Sequence, residues 1–176
     1  MEDTGWKESG IIALIGFMGA GKSAVGRLLS ARLGLSFVDL DEVISAMAGK
    51  DITEIFAAEG EEGFRERESE ALKRVLDGGS KVVSCGGGVV LRDENVELLR
   101  RKSRVFLLRV SPERALERLA GSEGRPLLDA DDVEERIREL MEERAERYHA
   151  AAHAEFDASD ADPEEIAEEI AAVWSN

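Results

Sequence analysis

The sequence has little cysteine, proline, histidine or aromatic side chain, and several of these absences are informative. A single cysteine, Cys85, excludes an internal disulfide framework and fits a reducing compartment. The longest apolar run, residues 11–15 followed by Gly16, is far too short to span a membrane. The first ten residues are mostly acidic or polar, and no small-residue cleavage pattern follows them, so we expect no secretory signal. These absences together predict a cytoplasmic protein.

Positive charge is also scarce. The chain has 23 Lys and Arg residues against 38 Asp and Glu residues, which gives a formal net charge of −15. The mean field of such a chain repels phosphate polymers and anionic lipid surfaces, so we expect no nucleic-acid or membrane partner. A length of 176 residues with 43% hydrophobic residues suits one domain. We place this domain at residues 10–176, after a disordered tail at residues 1–9, and expect it to be a monomer.

Short apolar runs alternate with segments of helical periodicity along the whole chain. This alternation favours a parallel α/β sheet covered by helices on both faces, with ligands at the carboxyl ends of its strands. The predicted strands are residues 11–15, 35–40, 81–85, 105–110 and 155–158. The predicted helices are residues 23–33, 42–48, 53–59, 63–76, 95–101, 112–120, 132–152 and a last one that starts at Pro163.

The segment Gly16–Ser23 matches the phosphate-loop pattern G-x-x-x-x-G-K-[ST], and it lies between an apolar strand and an amphipathic helix. Glycines let backbone N–H groups surround the phosphates, and the helix N-terminus adds positive potential. Lys22 is expected to reach the outer phosphates, and the Ser23 hydroxyl to bind Mg²⁺. The alternative is a glycine-rich turn without a ligand. We favour a nucleotide site, because both the motif and its context fit.

Two carboxylates, Asp39 and Asp41, come at the end of the second predicted strand. Alternation along a strand would place both on one face. A kinase needs an acidic group for Mg²⁺ and often a second one that orients or deprotonates the attacking hydroxyl. The alternative is that these residues cap the next helix.

Other features are ambiguous when taken one at a time. Arg65 and Arg144 lie on charged helices, where solvated side chains are the usual case. The glycines at 86–88 follow a strand and would let a small molecule approach the backbone, but they also fit a flexible turn. The segment 121–130 carries Arg125 and could form a lid that supplies positive charge to a phosphoryl group, or an ordinary exposed loop.

Together these motifs resemble the shikimate kinases, small cytoplasmic enzymes of the nucleoside-monophosphate-kinase-like P-loop group. The resemblance extends from about residue 11 to residue 173. It implies a three-layer α/β/α P-loop fold with a five-stranded parallel sheet in the order 2-3-1-4-5 and a mobile lid at about 121–130. The motifs are Gly16–Ser23, Asp39-x-Asp41, Phe64-Arg65-x-x-Glu68, Gly86-Gly87-Gly88, Arg125-Pro126-Leu127-Leu128 and Arg144-x-x-x-Tyr148.

The resemblance implies an activity and a set of ligands. These enzymes transfer the γ-phosphate of ATP to the 3-hydroxyl of shikimate, in the chorismate route to the aromatic amino acids, with Mg²⁺ as cofactor. Ser23 and Asp39 would hold the metal, Asp39 through water. The residues implied in nucleotide binding are Gly19, Ala20, Gly21, Lys22, Ser23, Ala24, Arg118 and Arg125.

On the acceptor side, the resemblance implies that Asp41 binds the shikimate hydroxyls and is the candidate base. Arg65 and Arg144 would clamp the carboxylate, beside the backbone of Gly87 and Gly88. The residues implied in catalysis are Lys22, Asp41 and Arg125.

Two other functions share part of this pattern. A gluconate kinase would keep the phosphate loop but needs no paired arginine clamp. A non-catalytic nucleotide-binding module should have lost some of the site residues, and all are present. His149 and His153 have the spacing of a metal pair on a helix, but with no third ligand apparent a surface helix is favoured.

Overall fold

The computed structural model describes residues 10–120, 128 and 131–175. The predicted tail at residues 1–9 lies outside the described residues. So does the predicted lid at 121–130 with Arg125, except for Leu128.

The core is a five-stranded parallel sheet in the order β2-β3-β1-β4-β5, which confirms the expected topology. Strand β1 lies at the centre because its five apolar residues are covered on both faces, and all of them are buried. The strands are β1 Ile11–Ile15, β2 Ser36–Asp39, β3 Lys81–Ser84, β4 Arg104–Arg109 and β5 Ala154–Asp157.

Seven α-helices are present within the described ranges, and most begin at a side-chain cap. Asp39, Asp51, Ser111, Asp132 and Asp162 each accept a hydrogen bond from a backbone N–H in the first turn. The helices are α1 Lys22–Leu33, α2 Leu40–Ala48, α3 Ile52–Leu76, α4 Asp93–Lys102, α5 Pro112–Leu119, α6 Val133–Ala151 and α7 Pro163–Trp174, with a 3₁₀ turn at Val89–Leu91.

Alternate residues of β1 belong to two cores, one on each face of the sheet. Ile11, Ala13 and Ile15 pack with residues of α2, α3, α4 and α6. Ile12 and Leu14 pack with residues of α1 and α7 on the opposite face. This layering places the loops after the strands at one edge of the sheet, between the helices.

A third, smaller apolar cluster joins the loop after β1 to α5 and α6. The ring of Phe17, only 3% exposed, packs there with Ala115, Leu119, Ile137 and Leu140. The phosphate loop is therefore anchored to the two helices that flank residues 120–132.

Helix α3 combines two helices that the sequence predicts separately, at 53–59 and 63–76. The backbone at Gly60 is not helical, with φ 71° and ψ −175°, a left-handed φ that favours glycine. An ion pair between Arg67 and Glu59 spans this break, with 2.7 Å between Nε and Oε2. The prediction of two helical runs is confirmed in substance, and the second run carries Arg65 into the site.

The two histidines do not share a helix face. Helix α6 ends at Ala151, and His153 lies beyond it, where its Nδ1 accepts a hydrogen bond from the Val105 N–H at 2.9 Å. The prediction that His153 lies on a surface helix is therefore wrong. His153 instead binds the backbone of Val105, near the start of β4. Among the described residues there is no group of three His, Cys, Asp or Glu side chains that could hold a metal ion. In the same part of the chain, every helix is too short or too polar to cross a membrane.

Candidate active site

The carboxyl ends of β1, β2 and β3 open onto one cleft, as expected for a parallel sheet. Its volume is about 250 Å³. The predicted site residues that line it are Gly19, Gly21, Lys22, Ser23, Ala24, Asp39, Asp41 and Gly87.

The phosphate loop has the curled backbone that its glycines allow. Gly16, Gly19 and Gly21 have φ values of 147°, 82° and 87°, all in the range that glycine favours. The Lys22 ammonium donates to the carbonyls of Gly16 at 2.8 Å and Phe17 at 2.9 Å. Lys22 is thus folded over the loop, at the position from which it can turn to a bound phosphate.

A serine and a carboxylate from different elements meet beside this loop. The Ser23 hydroxyl donates to Asp39 Oδ2 at 2.7 Å, and the Ser84 hydroxyl lies 3.1 Å from the Ser23 hydroxyl. Sequence reasoning missed Ser84, which ends β3 and pairs in register with Asp39 of β2. Its position at the carboxyl end of a strand is the one sequence signal that could have found it.

Asp39 can both cap the next helix and face the cleft, because each of its carboxylate oxygens has a different partner. Oδ1 accepts the Asp41 N–H at 3.0 Å and caps helix α2, while Oδ2 faces Ser23. Asp41 itself lies in the first turn of α2, so the expectation that both carboxylates share a strand face is wrong. The turn from strand to helix nevertheless brings both carboxylates to the cleft.

Arg65 is buried, contrary to the solvated side chain that its sequence context favours. It is 5% exposed, and its Nη1 donates at 2.8 Å to Glu68 Oε1, a carboxylate that is fully buried. Burial raises the pKa of Glu68, although the charge of Arg65 acts in the opposite direction. Arg65 Nη2 also donates to Glu61 Oε1, at the longer distance of 3.4 Å, and Arg65 Nε has no hydrogen-bond partner in the described part of the chain. Arg65 therefore keeps donor capacity for a further anion.

Arg144 is buried even more completely, at 1% exposed. Its Nε and Nη1 have no hydrogen-bond partner within the described part of the chain, and its guanidinium carbon lies 5.9 Å from the centre of the Phe17 ring. Unpaired buried donors are costly unless a ligand satisfies them. Its location follows from a buried stripe along α6, formed by Ile137, Leu140, Arg144, Tyr148 and Ala151.

The glycine turn after β3 lies between these two arginines. A Cβ on Gly86 would come 2.8 Å from Glu68 Oε2, and one on Gly88 would overlap the Arg65 guanidinium. A Cβ on Gly87 would lie 3.3 Å from the Met18 backbone nitrogen and 3.6 Å from Arg144 Nη1. The turn is therefore glycine because of close packing, and it touches both the arginines and the phosphate loop.

Arg118 joins the phosphate loop to the segment that follows β5, at the same carboxyl edge of the sheet. From α5 it donates to the carbonyls of Gly19 at 3.0 Å, Ala158 at 2.8 Å and Ser159 at 3.0 Å. It thus holds the backbone beside Gly19 and Ala20. Arg125 lies outside the described residues, so its predicted place over the nucleotide stays a prediction.

Comparison with known proteins decides the family. A family model described as "Shikimate kinase" matches residues 18–174. A shikimate kinase of Thermodesulfovibrio yellowstonii is 45% identical over 159 residues, covering 90% of this chain and 91% of the relative. One of Symbiobacterium thermophilum is 49% identical over 144 residues, covering 81% and 83%. This chain belongs to the shikimate kinase family.

Solved structures of shikimate kinases have the same fold. The Acinetobacter baumannii enzyme, solved in complex with shikimate, superposes with a TM-score of 0.93 at 32% identity and covers 98% of this chain and 97% of its own. The Aquifex aeolicus enzyme gives a TM-score of 0.82 at 36% identity, covering 94% and 96%. Family membership makes the chain an ATP-dependent kinase with an alcohol acceptor. It therefore counts against the two alternatives, a gluconate kinase and a non-catalytic nucleotide-binding module.

Proposed function

We propose that this chain transfers the γ-phosphoryl group of ATP to the 3-hydroxyl of shikimate, giving shikimate 3-phosphate and ADP. The observation that carries the proposal is a pair of buried arginines, Arg65 and Arg144, on either side of a glycine turn that touches the phosphate loop. Guanidinium groups bind carboxylates through paired hydrogen bonds. A small carboxylic acid with several hydroxyls fits this arrangement, and shikimate has that chemistry.

The acceptor hydroxyl would be bound by Asp41, which lies in the cleft beside Lys22. Its carboxylate can accept the hydroxyl proton or orient the oxygen for attack. On nucleotide binding, we expect Lys22 to exchange the carbonyls of Gly16 and Phe17 for phosphate oxygens. Arg125 would add a further positive charge as the phosphoryl group moves.

We propose that Ser23 and Asp39 hold Mg²⁺ in this cleft. The Ser23 hydroxyl, Asp39 Oδ2 and the Ser84 hydroxyl bring three oxygens together, and oxygen is the ligand that Mg²⁺ prefers. The metal would neutralise charge on the transferring phosphoryl group. Asp39 is the carboxylate in that set, and its other oxygen is already used to cap α2.

The experiment is ADP release by the purified protein with shikimate, with gluconate and without an acceptor. We expect release to depend on shikimate and mass spectrometry to identify shikimate 3-phosphate as the product. Arg65→Ala should raise the KM for shikimate strongly and leave the KM for ATP nearly unchanged. Arg67→Ala, on the same helix but ion-paired to the partly exposed Glu59, is the matched control. An ADP release rate that does not depend on the presence of shikimate would overturn the proposal.

The metal site is tested by its Mg²⁺ dependence. Asp39→Asn keeps an oxygen that can cap α2 but removes the charge, so we expect a higher Mg²⁺ concentration for half-maximal rate. Asp51→Asn is the control, because Asp51 caps α3 through the Glu54 N–H and lies away from the cleft lining. An equal Mg²⁺ dependence in both variants would contradict the assignment of Asp39.

A further inference from the structure

We infer that Tyr148 is a positioning residue for the acceptor site, because its hydroxyl holds the glycine turn at residues 86–88 through a hydrogen bond to the Gly87 carbonyl. The inference rests on the proposed function, since the turn is the backbone that would face the shikimate carboxylate. Tyr148 would act through this turn without touching the substrate.

Helix α6 brings Tyr148 to the turn together with Arg144. The two residues are one helical turn apart and share the buried stripe of α6. Tyr148 is 6% exposed, and burial raises its pKa to about 12. The phenol is therefore neutral at physiological pH and can act as a donor.

All three carbonyls of the turn are used within the protein. The Gly86 carbonyl accepts the Val89 N–H at 3.1 Å, and the Gly88 carbonyl accepts the Leu91 N–H at 3.0 Å. The middle carbonyl, that of Gly87, accepts the hydroxyl of Tyr148. Within residues 10–120, 128 and 131–175, Tyr148 is thus the one side chain that holds a carbonyl of this turn.

The amide N–H groups of Gly87 and Gly88 make no hydrogen bond to any described residue. These N–H groups are donors that the turn can offer to an anion. A peptide unit is planar and trans, so fixing the Gly87 carbonyl also fixes the direction of the Gly88 N–H. The Tyr148 hydroxyl therefore sets where this donor points.

Such a constraint is needed because the turn consists of glycine alone. Close packing against Glu68 and Arg65 requires glycine at positions 86 and 88. Glycine has the largest conformational freedom to lose, so an unheld turn would sample other directions of its N–H groups. The tyrosine hydroxyl limits this freedom from the opposite side.

The test is Tyr148→Phe, which removes the hydroxyl and keeps the ring. We expect the KM for shikimate to rise about tenfold, the upper range for a lost hydrogen bond. The value of kcat and the KM for ATP should stay within about twofold of the wild type, because the change weakens acceptor binding in the ground and transition states alike. The control is Ser103→Ala, which removes another buried hydroxyl, one that donates to the Leu99 carbonyl at 2.7 Å.

Amide hydrogen exchange gives a second readout that does not depend on activity. We expect the amides of Val89 and Leu91, which donate to the Gly86 and Gly88 carbonyls, to exchange faster in Tyr148→Phe than in the wild type, and at the wild-type rate in Ser103→Ala. An unchanged exchange rate and an unchanged KM for shikimate in Tyr148→Phe would each overturn the inference. Wild-type protein that releases no ADP in response to shikimate would instead overturn the proposed function.

Discussion

Replacing Arg144 by methionine should stabilise the free protein and damage the binding of shikimate. Arg144 is 1% exposed, and two of its donor nitrogens, Nε and Nη1, have no partner in the described part of the chain. Each buried unsatisfied donor costs about 1–3 kcal/mol. Methionine fills similar space with a flexible apolar chain and removes that cost.

Two favourable interactions are lost in the same change. The guanidinium above the Phe17 ring contributes about 1 kcal/mol as a cation–π contact. The positive charge of Arg144 also lowers the pKa of Glu68, so its loss leaves that carboxylate with Arg65 alone. Each unsatisfied donor costs more than the ring contact returns when its cost lies in the middle of the range of about 1–3 kcal/mol, so we expect the free energy of unfolding to rise.

The effect on the acceptor has the opposite sign. A hydrogen bond to a charged group contributes about 1.5–3 kcal/mol, so the loss of one should raise the KM for shikimate between about tenfold and about a hundredfold. Urea denaturation of the ligand-free protein gives the first quantity, and steady-state kinetics with varied shikimate gives the second.

Arg147→Met is the matched control, because Arg147 lies on the same helix, about one turn after Arg144. Arg147 is 41% exposed and pairs with Asp93 at 2.7 Å, so its loss should cost at most about 1 kcal/mol and leave the KM for shikimate unchanged. If Arg144→Met loses several kcal/mol of stability and keeps the wild-type KM, Arg144 is a structural residue and the reasoning fails.

Two further predictions concern neighbours of the clamp. Burial raises the pKa of Glu68 above 4.5, so the stability that this group contributes is complete below pH 4.5 and is lost as pH rises through its folded-state pKa. Glu68→Gln should therefore gain stability relative to the wild type between pH 4.5 and pH 8 in urea denaturation, and a relative loss would show that the charge of Arg65 dominates. Gly88→Ala places a Cβ on the Arg65 guanidinium and should raise the KM for shikimate. Gly79→Ala, whose Cβ would have no atom within 4 Å, should leave that KM unchanged. An equal KM for shikimate in both variants would refute the explanation by close packing.

The acidic composition and the anionic substrates are compatible because the charges are separated in space. The cations of the site are buried or lie in the cleft: Arg65 and Arg144 are almost inaccessible, and Lys22 lies beside the phosphate loop. Many carboxylates lie on the exposed faces of α3, α6 and α7. The excess negative charge behind the net value of −15 therefore lies mainly on exposed helix faces, while the cleft keeps cations that can bind anionic ligands.

The sequence by itself determined the elements and the phosphate loop. Patterns within a few residues fix these features: β1 is apolar throughout, Gly16–Ser23 has the spacing that a curled backbone needs, and Asp51 with Glu54 forms the predicted capping box. Family motifs also pointed to most of the residues that line the cleft, although not to Ser84. The bounds are less well determined, since Asp39 ends β2 and starts α2 where a longer strand was expected.

Only the tertiary structure decided which charged residues are buried. Arg65 and Arg144 lie on charged helices, for which the sequence favours solvated side chains. Both are buried because each helix packs the face that carries its arginine against the glycine turn. Ser84 and Tyr148 gain their roles in the same way, from contacts with residues far along the chain. Local backbone preferences act over one or two turns, whereas burial and pairing are set by packing between distant segments, which no local pattern contains.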